Sequence, residues 1–381
     1  MTSDHRGSYR RRGLILAGLC VIGAWAAGCA WFGGNTKPGW VEGASEDYPP
    51  VRYLSGVGQA DTRQAASDEA YAAVARVFRA EVEAQAKDWE SYLVVEQRGT
   101  SNTERRLTLD HVTKVTTEKA LESVGIADTW YDSKKGLYYA LAVMDRAQAE
   151  TSLIERMTAL DQAIEADVVE SRQTMDKLAK VRSLRRAARN LVLREAYNAD
   201  LRVVRTTGQG AAAAYRVDEL TTELERFLAT NLVMALQIHG DHAEPVRRAL
   251  TEGLLREGLQ VMAEPVYERA EAPELLLRGT VRLFPIEVKD PQFTYVRWCS
   301  DFDIVETRAG RVVGAVARGG KEGHLTEREA TAKALRVMQQ EFSTEVAKAI
   351  AAHVFGEAAL PMPAARPSGC PRSESSIQSM Q

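Results

Sequence analysis

Apolar and polar residues follow two rhythms along this chain. A stretch without glycine or proline, from Leu137 to the residue before Gly208, separates two regions of mixed strand and helix pattern. In the first region, VRYLSGVG (Val51 to Gly58) reads as a short strand ending in glycines. Asp61 is placed as the cap of a following helix, with Gln64 three residues later as in a capping box. Ala70, Tyr71, Val74, Val77 and Phe78 continue at helical spacing, and the alanine content lets that helix lie close to a sheet. The pattern weakens from Glu81 to Val115, where Tyr92 to Gln97 is strand-like and Arg98 to Glu104 reads as a hairpin loop. Trp130 to Asp132, SKKG, and LYYALAVMD predict a hairpin turned at Gly136. Together these predict an antiparallel sheet with one helix on it.

The glycine-free stretch is rich in Ala, Leu, Glu and Arg and predicts long helices. Leu153, Met157, Leu160, Ile164 and Val168 form one stripe, and Met175, Leu178, Val181 and Leu184 another. The polar Glu170 to Thr174 lies between them. Two antiparallel helices turning there would bury the stripes against each other; one long helix is the alternative, since no glycine or proline marks the break. TTGQGAAAA (Thr206 to Ala214) reads as a linker.

The second region predicts a helix over about 217–228, then a nearly continuous apolar run, Asn231 to Ile238, as in a strand covered on both faces. A helix from Pro245 to Glu257 and strands at 259–262, 275–288, 294–306 and 311–317 follow. A closing helix is capped by Thr326 with Glu329. The order β-α-β-β-β-β-α predicts a mostly antiparallel sheet with its helices on one side. The fold class is therefore α+β: two small sandwich-like modules, antiparallel sheets with helices on one face, joined by a helical hairpin. The boundaries are 51–145, 146–205 for the hairpin, 206–216 for the linker, 217–356, and a Pro/Ser-rich tail at 357–381 read as disordered.

The start of the chain has its own grammar. Arg10 to Arg12 precede an apolar run from Leu14 to Ala27. It is shorter than the roughly 20 residues that span a bilayer. Small residues close it, as in a secretory signal peptide. Ala-Ala-Gly-Cys, ending at Cys29, resembles the lipobox of bacterial lipoproteins. The resemblance implies cleavage between Gly28 and Cys29, and acylation of the Cys29 sulfur and the new amine. Several acyl chains hold firmly, at about 0.8 kcal/mol per buried CH2. A plain secretory signal with an incidental Cys29 is the alternative. In the lipoprotein resemblance an Asp after the cysteine would favour inner-membrane retention, so Ala30 implies the outer membrane. Residues 29–50 then form a tether, in which Lys37, Trp40 and Tyr48 suit either the membrane interface or packing onto the first module.

The formal net charge of −3 includes the basic leader, so the mature part is more acidic still. Nothing in this predicts a nucleic-acid binder, which would need a net basic face. Beyond Cys29 only Cys299 and Cys370 remain. They could pair in an oxidising compartment, although the tail carrying Cys370 gives no reason to dock.

KPGWV (Lys37 to Val41), YPPVRYLSGVGQA (Tyr48 to Ala60) and YYALAVMDR (Tyr138 to Arg146) resemble the Lpp-twenty-type lipoprotein domain of bacterial envelopes. The likeness covers roughly 37–160, with the helical region as a common appendage. It implies a lipid-anchored envelope protein, in some members linked to flagellar assembly, with no catalytic residues to carry over. Leu275 to Val281, the Trp298 strand and TRAGRVVGA are more distantly similar to curli-secretion and flagellar accessory lipoproteins.

Candidate chemistry is sparse. His239, Asp241 and His242 could flank a metal, but a solvated loop before a helix explains them as well. Asp301 and Asp303 leave one face of a strand, as paired acid–base carboxylates do, or as the polar side of a half-covered sheet. Cys299 shares that face and is reachable by a partner thiol. The glycines of SGVGQ lack the third of a phosphate fingerprint and are assigned to the turn from strand to helix. Arg182, Arg185, Arg186 and Arg189 form a basic patch that could meet phosphate headgroups or peptidoglycan carboxylates, or pair with nearby acids. No cofactor and no metal is expected. The partners expected are outer-membrane lipid through Cys29, and envelope proteins or peptidoglycan; an oligomer is compatible with all of this. The resulting expectation is a non-enzymatic docking or assembly lipoprotein facing the periplasm. A peptidoglycan-binding regulator of a synthase is the alternative, and a metal-dependent hydrolase a third.

Overall fold

In a computed structural model, the structure describes residues 36–43, 45–85, 114, 122–240, 242–262, 273–288, 292–361 and 364–371. The chain divides into Met1–Lys37 and Pro38–Gln381; all of the architecture below belongs to the second unit. The predicted features between Tyr92 and Glu104, and Asp241, lie outside the described residues. No described helix is long and apolar enough to cross a membrane.

The first sheet has the order β1-β3-β2, all antiparallel, from β1 (Tyr53–Ala60), β2 (Val124–Asp132) and β3 (Leu137–Asp145). Gly136, at φ 68°, closes the hairpin as expected. Helix α1 (Arg63–Gln85) lies on this sheet through Ala66, Ala70, Val74 and Phe78. The glycines of SGVGQ do something other than turn the chain. They sit inside β1, and a Cβ on Gly58 would stand 2.2 Å from the Ala66 carbonyl oxygen. They let the helix backbone approach the strand. The helix cap also shifts by one residue: Thr62, not Asp61, accepts from the Ala65 N–H (3.2 Å), and Gln64 bonds Asp68 instead.

The glycine-free stretch is two helices, α2 (Arg146–Gln173) and α3 (Lys177–Val204). The break falls at Thr174 to Asp176, slightly later than predicted. It needs no glycine, because Thr174 turns extended and Asp176 caps α3 by accepting from Leu178 and Ala179 N–H groups (2.8 and 3.1 Å). Met175, predicted in the second stripe, is 88% exposed at the turn. The stripes do not simply face each other. Ile164 and Val168 pack with Ala187, Ala188 and Leu191, whereas Leu178, Val181 and Leu184 join the core of the second sheet. At the other end of α3, Tyr197, Leu201 and Val204 join the core of the first.

The segment read as a linker is pinned down. Arg194, only 1% exposed, donates to the Ala211 and Ala212 carbonyls, and Asn198 accepts from the Ala211 N–H (2.7 Å). Helix α4 (Val217–Asn231), β4 (Val233–His239), α5 (Ala243–Arg256), β5 (Gln260–Val261), β6 (Leu275–Ile286), β7 (Thr294–Glu306) and β8 (Arg311–His324) come next. The chain closes with α6 (Glu327–Glu341), a π-helical turn at Phe342–Val346, and α7 (Ala347–Val354).

The second sheet has the order β5-β4-β6-β7-β8. Its long ladders, β6 with β7 and β7 with β8, are antiparallel as predicted, and a parallel part is added at one edge, where β4 runs parallel to both of its neighbours. This agrees with the unbroken apolar run of β4, whose Met234, Ala235, Leu236 and Ile238 are all buried. The Thr326 cap and its Glu329 partner form as predicted. Val296, Trp298, Phe302 and Ile304 share a core with Met338, Phe342, Val346 and Ile350. The described part of the tail departs from its predicted disorder. Residues 364–371 lie against β7 and β8, and Cys370 is disulfide-bonded to Cys299, 71 residues away. Gly319, the cross-strand neighbour of Cys299, has no side chain, and a Cβ there would stand 2.8 Å from the Cys370 sulfur. Arg297 adds a hydrogen bond to the Ser368 carbonyl.

Candidate functional site

Gly28 and Cys29 lie outside the described residues, so the acylation site rests on the sequence. Trp40, a short way along the chain, does not project toward a membrane interface. Its ring is buried against Tyr139 and Leu141, and its Nε1 donates to Asp128 (2.9 Å). The folded part therefore begins within a few residues of Lys37.

The four arginines of the basic patch do not act together. Arg182 donates to the His353 and Val354 carbonyls (3.0 and 3.2 Å), closing the C-terminal end of α7. Arg185 is buried, pairs with Glu357 and lies over the Phe355 ring, 4.2 Å from its centroid. Arg186 bonds Asp167 (2.7 and 2.9 Å) and Glu170 (2.7 Å). Burial disfavours its charge, yet these two carboxylates outweigh that and raise its pKa. Arg189 is exposed. Three of the four thus have partners within the chain, and a common surface for an external polyanion is not formed.

His239 is exposed at the end of β4, and His242 precedes α5. Among the described residues, no group of three or more His, Cys, Asp or Glu side chains is placed to hold a metal. Asp301 and Asp303 do share the outer face of β7, opposite Thr280 and Arg278. Burial pushes the Asp303 carboxyl up; Arg278, 3.8 Å away, pulls it back and Asp301 adds to the rise. With Arg278 set across from Asp303, the pair reads as the polar side of the sheet. Cys299, on the same face, is already joined to Cys370 of its own chain as a disulfide.

Two charged groups that local pattern did not single out are the most deeply placed. Arg194 pins the 206–216 segment and also bonds Asp161 (3.1 Å) and Glu195 (2.8 Å). Asp200 is fully buried, and neither carboxyl oxygen has a hydrogen-bond partner among the described residues. Burial pushes its pKa up to about 8, so it is held uncharged. The signal for both was a charge on the inner side of a helix, at positions flanked by Leu191, Ala196, Ala199 and Leu201.

The comparisons bear on the first sheet and α1. Residues 38–145 match the LPP20 lipoprotein family. This is the likeness read from KPGWV, YPPVRYLSGVGQA and YYALAVMDR, and it covers less than a third of the chain. No curated protein matches. Among solved structures the chain is similar to a minor lipoprotein from Acinetobacter baumannii, at 17% identity over 32% of this chain and 93% of that one, with TM-score 0.25. It is also similar to the secreted protein HP1454 from Helicobacter pylori, at 14% identity over 78% of this chain and 97% of that one, with TM-score 0.37. Likeness at this level carries no functional argument. The LPP20 match connects part of this chain with lipoproteins and indicates no enzyme family.

Proposed function

We propose that this chain is an outer-membrane lipoprotein, anchored through acylated Cys29 and facing the periplasm, that serves as a non-enzymatic docking or assembly factor of the cell envelope. The observation that carries this reading is the lipobox at Cys29 followed directly by an LPP20-type segment at 38–145. Two further features support it. The Cys299–Cys370 disulfide suits an oxidising compartment outside the cytosol. From Cys29 to Trp40 the extended chain reaches no more than about 40 Å, so acylation would hold the folded part near the bilayer.

The cell-wall reading rested on the basic patch, and Arg182, Arg185 and Arg186 are engaged within the chain. Docking is therefore favoured over peptidoglycan binding. Density-gradient fractionation of cells tests the anchor. Wild-type chain is expected with outer-membrane fractions, and Cys29→Ala is expected to lose outer-membrane sorting and the acyl mass. An unchanged fractionation and mass for the variant would overturn the proposal. Crosslinking in intact cells then identifies the docked partner.

A further inference from the structure

A cleft of about 460 Å³ opens where the ends of three elements meet. The turn leading into β1 contributes Val51 and Arg52, the start of α2 contributes Arg146 and Glu150, and the segment just after α3 contributes Arg205, Thr206 and Thr207. Three guanidinium groups line it.

Their pairing is unequal. Arg52 reaches Asp145 (3.3 Å) with its Nε and is otherwise largely exposed. Arg205 pairs with Glu150 (2.8 Å) and also meets the Gln209 and Gly210 carbonyls. Arg146 has no carboxylate. Its Nε donates to the Pro50 carbonyl (3.0 Å), and one terminal nitrogen donates to the Val203 and Val204 carbonyls (2.8 and 2.7 Å). Those contacts hold the α3 end against the β1 start with a charge that only peptide dipoles offset. Burial lowers the pKa of this guanidinium, so its charged state is disfavoured there and an anion nearby would relieve it. Three cations against two acids leave one positive charge in excess, beside the hydroxyls of Thr206 and Thr207. At the rim stands Val51, an apolar side chain 79% exposed.

A cationic recess with an apolar rim fits an amphiphile: a phosphate group in the recess, held by the fork geometry of arginine, and hydrocarbon against Val51. We infer that this cleft binds the phosphate headgroup of an anionic phospholipid. This deepens the anchored-docking reading and rests on it: the acyl chains would supply tethering, and the cleft would set which lipid the folded part rests on.

The test uses the acylated full-length chain in a neutral detergent. Soluble short-chain phosphatidylglycerol, phosphatidylcholine and inorganic phosphate are titrated separately and bound ligand is counted by native mass spectrometry. Phosphatidylglycerol is expected to bind at least tenfold more tightly than phosphatidylcholine, and more weakly as salt rises. Arg52→Gln and Arg205→Gln are each expected to weaken it about tenfold, and Arg248→Gln, remote on α5, to leave it unchanged. Circular dichroism melts show which variants remain folded, and the largely exposed Arg52 is the variant expected to fold normally. Equal binding of both lipids, full binding by folded Arg52→Gln, or inorganic phosphate binding as tightly as the lipid would each overturn the inference. A chain that is acylated and sorted but shows no headgroup preference fails here alone, whereas an unacylated chain fails the anchoring reading.

Discussion

The two sheets meet their helices by opposite means. On the first, Gly56 and Gly58 bring the strand so near α1 that Ala66 and Ala70 fill the interface. On the second, Trp298 and Phe302 reach out to Phe342, with ring centroids 6.1 and 5.6 Å away in edge-on geometry. The first contact is made by backbone against small side chains and has no slack. The second is made by large rings that can shift. A contact built from absent side chains fails when one is added; a contact built from rings fails when one is removed.

The largest expected effect comes from the first case. Gly58→Val places its Cβ against the Ala66 carbonyl and the Ala70 amide, backbone atoms that cannot step aside. The destabilisation should exceed the roughly 3 kcal/mol usual for overpacking, and chemical denaturation should find little folded chain at moderate urea. A Gly58→Val variant with near wild-type stability would break the comparison. On the second sheet, Cys370→Ser frees the end of a 71-residue separation and should cost about 4 kcal/mol by loop-entropy reasoning. Hydrogen exchange should rise over β7, β8 and the tail and leave β1 and α1 unaffected.

Asp200 sharpens the comparison at the end of α3 nearest the first sheet. Its folded pKa of about 8 lies above the ordinary value of 3.8, so the folded state holds the proton more tightly between those pH values. Stability contributed by the protonated form is fully present below pH 4 and is lost as pH rises toward 8. At pH 7 the loss is on the order of 4 kcal/mol. Asp200→Asn should flatten the pH dependence of Tm and raise Tm at pH 8; parallel profiles for the two proteins would contradict the assignment. The smallest effect separates two capping candidates. Thr62→Ala should cost about 1 kcal/mol and Asp61→Ala close to nothing, measured by the shift in denaturation midpoint.

Local chemistry was readable wherever neighbours in sequence decide the outcome. Gly136 in its hairpin, Thr326 with Glu329, and the alternation of Trp298 and Phe302 against Asp301 and Asp303 all fall where the pattern puts them. The departures share one physical origin: a partner far away in sequence. Nothing near Thr206 to Ala214 reveals that Arg194 will reach its carbonyls. Nothing near Cys370 reveals that Gly319 leaves room for its sulfur. The paired glycines of β1 were legible as glycines, but their reason lies in a helix backbone that local pattern does not position. The arginines of α3 looked like one surface because they are adjacent, yet a helix sends adjacent residues to different faces, toward α7 for Arg182 and toward α2 for Arg186. The candidate site was the least legible. Arg52, Arg146 and Arg205 are scattered in sequence and meet only because the chain enters β1 and α2 beside the place where it leaves α3.

The 28 residues of α3 begin among the side chains of one sheet and finish among those of the other, a rise of about 42 Å. Such a spar resists bending far better than a loop of equal length would. Load applied at either end passes along it, and the distance between the sheets is set by a count of helical turns. An insertion or deletion in its middle would therefore rotate one sheet against the other by about 100° per residue, making α3 the place where evolution or design could re-aim what the molecule presents.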